Sequence, residues 1–431
     1  MSFIKQSNLS LGGLKSVYIY NTSAPGGYDI GAAVIEFTFF QSLMGGLYSG
    51  KLTVVDEYDV LSNLLLIGNE TCVIKVMFKN FQDKEVTVDI PMMLTGIEKY
   101  TRENDTAVYI INVSSLNMFN DITNRISQAY NGTTSDIIEN ILKDWYVLSE
   151  DKYNIEKTTD NMKVVIPNLR PSEAIRWITR RSVSQSGTPM FFYELLSGFR
   201  FKSFEEIAKE KPAFKYVRAD SMSTLDIDRR YLINDIKANK LFRGAENIMN
   251  GMYSARVHAF DIVTKSFLFE PSFDIAESLE SNRSFLNDVM YDSNLTIQGK
   301  TLNKFKDSKH FYMITSTGDE SNADYIADYH SNAHIKVPQL NTKLTQLQNS
   351  LLDISIGGNL HLHPGMNINC TFMNTKTMVA QQTDEERYDR AISGNYMVLA
   401  VRHTFKLDSF TTVAQISKDS ISSSPNAKAL T

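Results

Sequence analysis

Apolar and polar residues alternate over short runs at both ends of the chain, and apolar residues recur at helical spacing mainly in its middle. Near the N-terminus Ser16-Val17-Tyr18-Ile19-Tyr20 leads into the turn residues Pro25-Gly26-Gly27, and residues 33–40 then set Ile35, Phe37 and Phe39 against Val34, Glu36 and Thr38. After Gly45-Gly46 come four more strand-like runs, at residues 50–56, 71–78, 85–90 and 106–113. Turn signals at short, regular intervals predict a barrel or sandwich, not a doubly wound sheet.

The period changes near Ser115. Ile137, Ile138, Ile141, Leu142 and Trp145 follow 3.6-residue spacing behind a capping Thr/Ser and predict an amphipathic helix. Residues 171–181 predict a second, with Pro171 at the start, where its missing N–H costs nothing. Met190 to Leu195 and Gly198 to Ser203 read as a hairpin of aromatic strands. Residues 217–269 mix both periods, and 293–319 are polar and irregular. Helical spacing returns at 322–330 and, after Pro338, at Leu340, Leu344, Leu347 and Leu351. A strand at 352–356 is followed by the turn Leu362-His363-Pro364-Gly365-Met366, and by strands at 397–405 and 410–420. Residues 381–389 are expected to form an exposed loop or short helix, and the Ser-rich tail to be mobile.

With 431 residues, at ~150 per domain, the chain has room for about three domains. Hydrophobic residues reach 42% and aromatics 11%, with 24 Phe and 20 Tyr, which favours strands. Charge is nearly balanced, 44 basic residues against 49 acidic for a net of -5, which argues against a dedicated duplex-binding protein. A mildly acidic wall still suits a conduit through which DNA slides. Cys72 and Cys370 lie far apart in apolar runs and are expected as buried, reduced thiols. The N-terminus lacks a charged leader followed by an apolar run, and no apolar segment approaches ~18 residues, so the chain is expected in a cytoplasm without membrane insertion.

Taken in order, four segments resemble the central baseplate hub proteins of contractile-tailed phages, the late-control tail family that also forms the N-terminal hub of type VI secretion spike proteins. They are residues 36–56, the helix at 135–146, residues 168–178 with the hairpin 190–203, and the C-terminal run from Leu362. Residues 207–312 match least. The resemblance implies an α+β, mainly β, multidomain chain with two related antiparallel tube-like β-barrel domains and mixed α/β bracing domains between them. The boundaries expected are 1–114 for the first barrel, with strands near 245–270 as its completion, 115–216 for a helix and hairpin domain, 217–351 for a bracing domain, 352–420 for the second barrel and 421–431 for a flexible tail.

The same resemblance implies a structural virion protein in the tail baseplate, assembled in the host cytoplasm. It would be a homotrimer whose six barrels join a six-fold tail tube, or its initiator proteins, to a three-fold central spike. Baseplate wedge proteins would flank it, and genomic DNA would pass along its axis without sequence-specific binding. Two similar domains per chain supply the two quasi-equivalent interfaces such a symmetry match needs. Because the chain ends shortly after its last barrel strand, the spike is expected to be a separate protein.

Chemistry is sparse in the pattern, and no catalytic, cofactor or metal residue is expected. His361 and His363 could begin a zinc site on one strand face, but no Cys or carboxylate cluster stands nearby. His330 and His334 have metalloprotease spacing, yet Ser331 occupies the position of the Glu and Pro338 argues against one continuous helix. Phosphate loops, nucleophile elbows and dinucleotide fingerprints are missing. Arg180-Arg181 and Arg229-Arg230 are isolated pairs, expected to be solvated or ion-paired. Phe37, Phe39 and Phe40, like Phe191, Phe192 and Tyr193, are expected to pack in cores and not to stack on bases. The alternative function is a tail-associated peptidoglycan hydrolase, which would need two carboxyls at a set separation in a cleft.

Overall fold

The computed structural model describes residues 12–21, 25–79, 84–159, 161–180, 182, 184, 188–218, 229–261, 265–274, 286–287, 289–290, 296–301, 304–315, 333–373 and 388–421. The N-terminal alternation becomes β1 (Gly12–Tyr20), β2 (Tyr28–Asp29), β3 (Val34–Ser42), β4 (Ser49–Asp56), β5 (Thr71–Lys79), β6 (Glu85–Glu103) and β7 (Thr106–Ser115), with a short helix α1 (Val60–Asn63) between β4 and β5. These strands line up as β3-β4-β7-β6-β5-β1-β2. On β5 every second residue, Cys72, Ile74, Val76 and Phe78, points into the core, as period two requires. On β3 the phase differs from the sequence reading. A bulge between Val34 and Glu36 shifts the register, so Val34 is buried and Ile35, expected inside, is 46% exposed.

A middle unit follows. It comprises α2 (Asn117–Thr123), β8 (Ala129–Thr133), α3 (Thr134–Asp144), β9 (Tyr153–Ile155), β10 (Asn161–Val165), α4 (Pro171–Thr179), β11 (Met190–Leu195), β12 (Gly198–Ser203) and α5 (Phe204–Lys209). Thr133 caps α3 by accepting from the Asp136 N–H at 3.2 Å, and the Glu173 carboxylate returns to the Arg170 N–H at 3.0 Å to cap α4. Ile137, Ile138, Ile141 and Leu142 bury the face that the helical period marked, against Ala174, Ile175 and Phe201.

The remaining strands are β13 (Phe214–Arg218), β14 (Ile233–Leu241), β15 (Ser254–Asp261), β16 (Ser266–Asp274), β17 (Val289–Met290), β18 (Thr296–Ile297), β19 (Lys300–Thr301), β20 (His310–Thr315), β21 (Ser350–Gly357), β22 (Asn367–Phe372), β23 (Gly394–Lys406), β24 (Phe410–Ser417) and β25 (Ser420–Ile421); the helices are α6 (Gly244–Met249) and α7 (Ala333–Asn349). A second half-sheet runs β14-β21-β24-β23, with β22 on the other edge of β23 and β13 parallel to β22. It therefore takes two strands from ahead of the expected start at Leu352. The strand around Val257, offered as completing the first barrel, instead forms a separate three-stranded sheet as β16-β15-β20. Residues 310–315, read as irregular, are a strand of that sheet. Pro338 lies inside α7 and not at a break: the helix continues past the bond that the proline cannot make, with Leu344 and Leu347 packed into a core beyond it. The segments 322–330 and 422–431, and most of 381–389, lie outside the described residues.

One join governs the architecture. β23 forks: residues 394–397 pair with β22, while residues 400–406 pair antiparallel with β3, from Ala400↔Ser42 to Lys406↔Glu36. The two halves are thus one 13-stranded sheet, mainly β in an α+β chain. The expected closed barrels are open among the described residues, since the β3 edge that would close the first half is taken by β23. β1 still curls back without a ladder, and a Cβ on Gly13 would stand 2.4 Å from the Leu407 carbonyl oxygen. In the second half a single parallel bridge, Val217↔Leu232, brings β13 back toward β14.

Candidate assembly interface

The seam between β3 and β23 is packed with rings. Phe405 lies 5.9 Å from Phe37 and 4.1 Å from Phe410, so the two rings that flank the β23–β24 hairpin tip are buried in the core of the first half, while Leu407 at the tip itself is exposed. His403 stands two pairs along, 6.1 Å from Phe39, with Nδ1 3.0 Å from the Thr412 hydroxyl. Burial pushes its imidazole down to about 3, so it is neutral at physiological pH. These aromatics pack as the sequence suggested for Phe37 and Phe39, and Phe191 and Tyr193 are likewise buried.

Buried charges tie the units together, and the sequence pattern flagged none of them. Glu194 on β11 accepts from Ser115 Oγ at 2.7 Å, Asn117 Nδ2 at 2.6 Å and the Tyr48 N–H at 3.3 Å, which pins the middle hairpin to the first half-sheet. Burial pushes its carboxyl up to about 7, against the lowering pull of those donors. Asp121 accepts from the Ser172 N–H and hydroxyl at 2.7 and 2.8 Å and from Tyr146 at 3.0 Å, joining α2 to α4. Lys343 on α7 meets Asp419 at 2.7 Å with both side chains nearly inaccessible, and its ammonium lies 4.1 Å from the Phe204 ring centroid. Each of these carboxylates finds its hydrogen-bond donors within the protein, which is what joins the units.

A cavity of about 500 Å³ opens between the β3–β4 turn, α4, β11 and α7. Leu43, Leu47, Phe191, Phe192, Leu340 and Leu344 line it, with Arg176 and Arg180 on one wall. No carboxylate lines it among the described residues, so it lacks the acid pair that a glycoside hydrolase needs. Arg181 lies outside the described residues, and Arg229 and Arg230 stand in a single 3₁₀ turn.

His361 and His363 fall in the link between β21 and β22, not on a strand, because Gly358 and the Pro364-Gly365 turn break it there. His361 is edge-on to Phe78 at 5.7 Å, and burial lowers the His363 pKa. His334 is in α7 and His330 lies outside the described residues. Among the described residues no group of three or more His, Cys, Asp or Glu is arranged to hold a metal. Cys72 and Cys370 are free and buried, and burial pushes the Cys72 thiol up to about 12. No described helix is long and apolar enough to cross a membrane.

Apolar side chains that remain in solvent mark surfaces suited to contact. Leu116, Phe119 and Ile122 share one face at the start and along α2, at 42%, 58% and 45% exposure. Tyr58, Leu65 and Ile67 are more exposed still, around α1.

No protein-family model and no curated protein matches the chain. Solved structures do. The tail protein from Neisseria meningitidis MC58 matches with a TM-score of 0.53 at 10% identity, over 95% of this chain and 97% of its own. The 43 kDa tail protein of prophage MuSo2 from Shewanella oneidensis matches with a TM-score of 0.56 at 8% identity, over 95% and 99%. The chain has the fold of these tail proteins. The match spans nearly the whole of both chains and does not rest on one module alone.

Proposed function

We propose that this chain is a structural tail protein acting as a trimeric baseplate hub, which joins a six-fold tail tube to a three-fold central spike and leaves an axial channel for the genome. The observation that carries the reading is the pair of half-sheets fused edge to edge through β3 and β23. Each chain thereby presents two curled sheets in a fixed relation, and three chains present six, which is the count that a three-fold to six-fold adaptor requires. The tail-protein fold supports it, as do the exposed apolar faces at α1 and α2, which suit partner contacts.

In this reading the half-sheets are the tube-facing modules, and the middle unit with the β15 sheet braces them against the spike and the wedge proteins. The chemistry is geometric, and its buried carboxylates hold units together without catalysing. Mass measurement by light scattering, alone and with a spike protein from the same particle, tests this. A trimer, or a trimer formed on the spike, is expected, and electron microscopy should show a ring with a central hole. A monomer that ignores the spike, or release of muropeptides from peptidoglycan, would overturn it.

A further inference from the structure

The outward face of the β15–β20 sheet carries chemistry that hub assembly does not use. Parallel pairing sets Arg256 beside His310 and His258 beside Tyr312, so the two imidazoles are diagonal neighbours on one face. His258 Nε2 and His310 Nδ1 stand 2.9 Å apart, with the ring planes 6° from parallel and centroids 5.2 Å apart. Those three numbers place the rings edge to edge, nitrogen facing nitrogen, with one N–H shared between them. Tyr312, 77% exposed, stacks on His258 at 4.7 Å and 10° and holds that ring's tilt.

We propose that His258 and His310 bind one divalent transition-metal ion of the imidazole-preferring kind: zinc, nickel or copper. Two nitrogens on a tetrahedral ion at ~2.0–2.1 Å stand roughly 3.3 Å apart, so the pair needs only to open slightly and turn as the shared proton leaves. The far nitrogen of His310 faces Asp307 Oδ1 at 3.8 Å, the side from which a carboxylate orients a metal-bound imidazole and raises its basicity. Asp307 also meets Arg256 at 2.6 Å, which offsets that guanidinium's charge beside the site. The remaining coordination positions open to solvent, so water or a donor from an adjoining surface fills them. The inference does not depend on the hub reading.

Zinc chloride titrated calorimetrically into the full chain, free of any histidine tag, should give saturable binding of one ion. His258→Asn and His310→Asn should each abolish it with circular dichroism unchanged, Asp307→Asn should weaken it by about tenfold or more, and His361→Asn should leave it intact. Cobalt added to the parent chain should develop the visible bands of nitrogen coordination, a readout that needs no variant to fold. Failure of the parent chain to bind either ion saturably, or zinc binding that survives in a folded variant lacking both imidazoles, overturns the proposal.

Discussion

The first half of the large sheet draws its strands from one unbroken stretch, residues 12–115, and every pairing in it is antiparallel. The second takes β13 and β14 from 214–241 and the rest from 350–417, and includes the parallel pair β13–β22. Their interiors differ as well. Both cores are apolar at their centres, but their buried charges differ: in the first half Asp56 and Glu70 accept mainly from N–H groups within five residues, whereas the second is flanked by polar groups that reach farther, the Lys343–Asp419 pair and Lys418, whose ammonium points at the Ala391 and Ser393 carbonyls and is pulled down by burial to about 8. Local hairpins can hold register by packing alone, but a half-sheet collected from distant segments uses directional polar contacts to fix which strands meet.

Breaking the polar pins should therefore hurt the second half most. Asp419→Ala leaves the Lys343 ammonium buried without its partner and should cost about 3–5 kcal/mol in urea unfolding, with loss of signal first in the second half. Phe405→Ala belongs to both halves, so a loss of similar size, about 3–5 kcal/mol, should appear as one cooperative transition; two separate transitions would show that the seam does not couple them.

The pH response sharpens the contrast at the seam. His403 has a folded value of about 3 against an ordinary 6.5, so its contribution is complete above 6.5 and is lost as pH falls toward 3, at about 1.4 kcal/mol per pH unit. Glu194, raised from 4.5 to about 7, works in the opposite sense: its contribution is complete below 4.5 and is lost as pH rises through about 7. Between 4.5 and 6.5 the two oppose each other. Compared with the parent, His403→Gln should lose the acid-side decline and Glu194→Gln the neutral-side one, measured by unfolding across a pH series.

Smaller effects test the first half. Gly13→Ala should cost about 1–3 kcal/mol, because the new Cβ meets the Leu407 and Lys406 carbonyls that β1 curls against. Lys75→Ala, which removes a half-exposed cross-strand pair with Asp89 at 3.5 Å, should change stability by only a few tenths of a kcal/mol.

What the sequence showed of this fold follows distance along the chain. α3, α4 and the β11–β12 hairpin were legible because caps, turns and period are local signals. Ile35 was misplaced because a bulge changes phase without leaving a marker in composition. β13 and β14 could not be assigned, since their partners β22 and β21 lie more than a hundred residues on. The same holds for His258 and His310, 52 positions apart and joined only by a parallel ladder. Glu194 read as the polar member of an aromatic strand, and nothing local says that its carboxylate is buried.

The forked strand β23 has a mechanical consequence. Its backbone bonds to β3 lie across the strand direction, so sliding one half along the other strains the whole row at once instead of peeling it from one end. The seam is thus firmest against sliding along β3, the direction in which all of its bonds are loaded together.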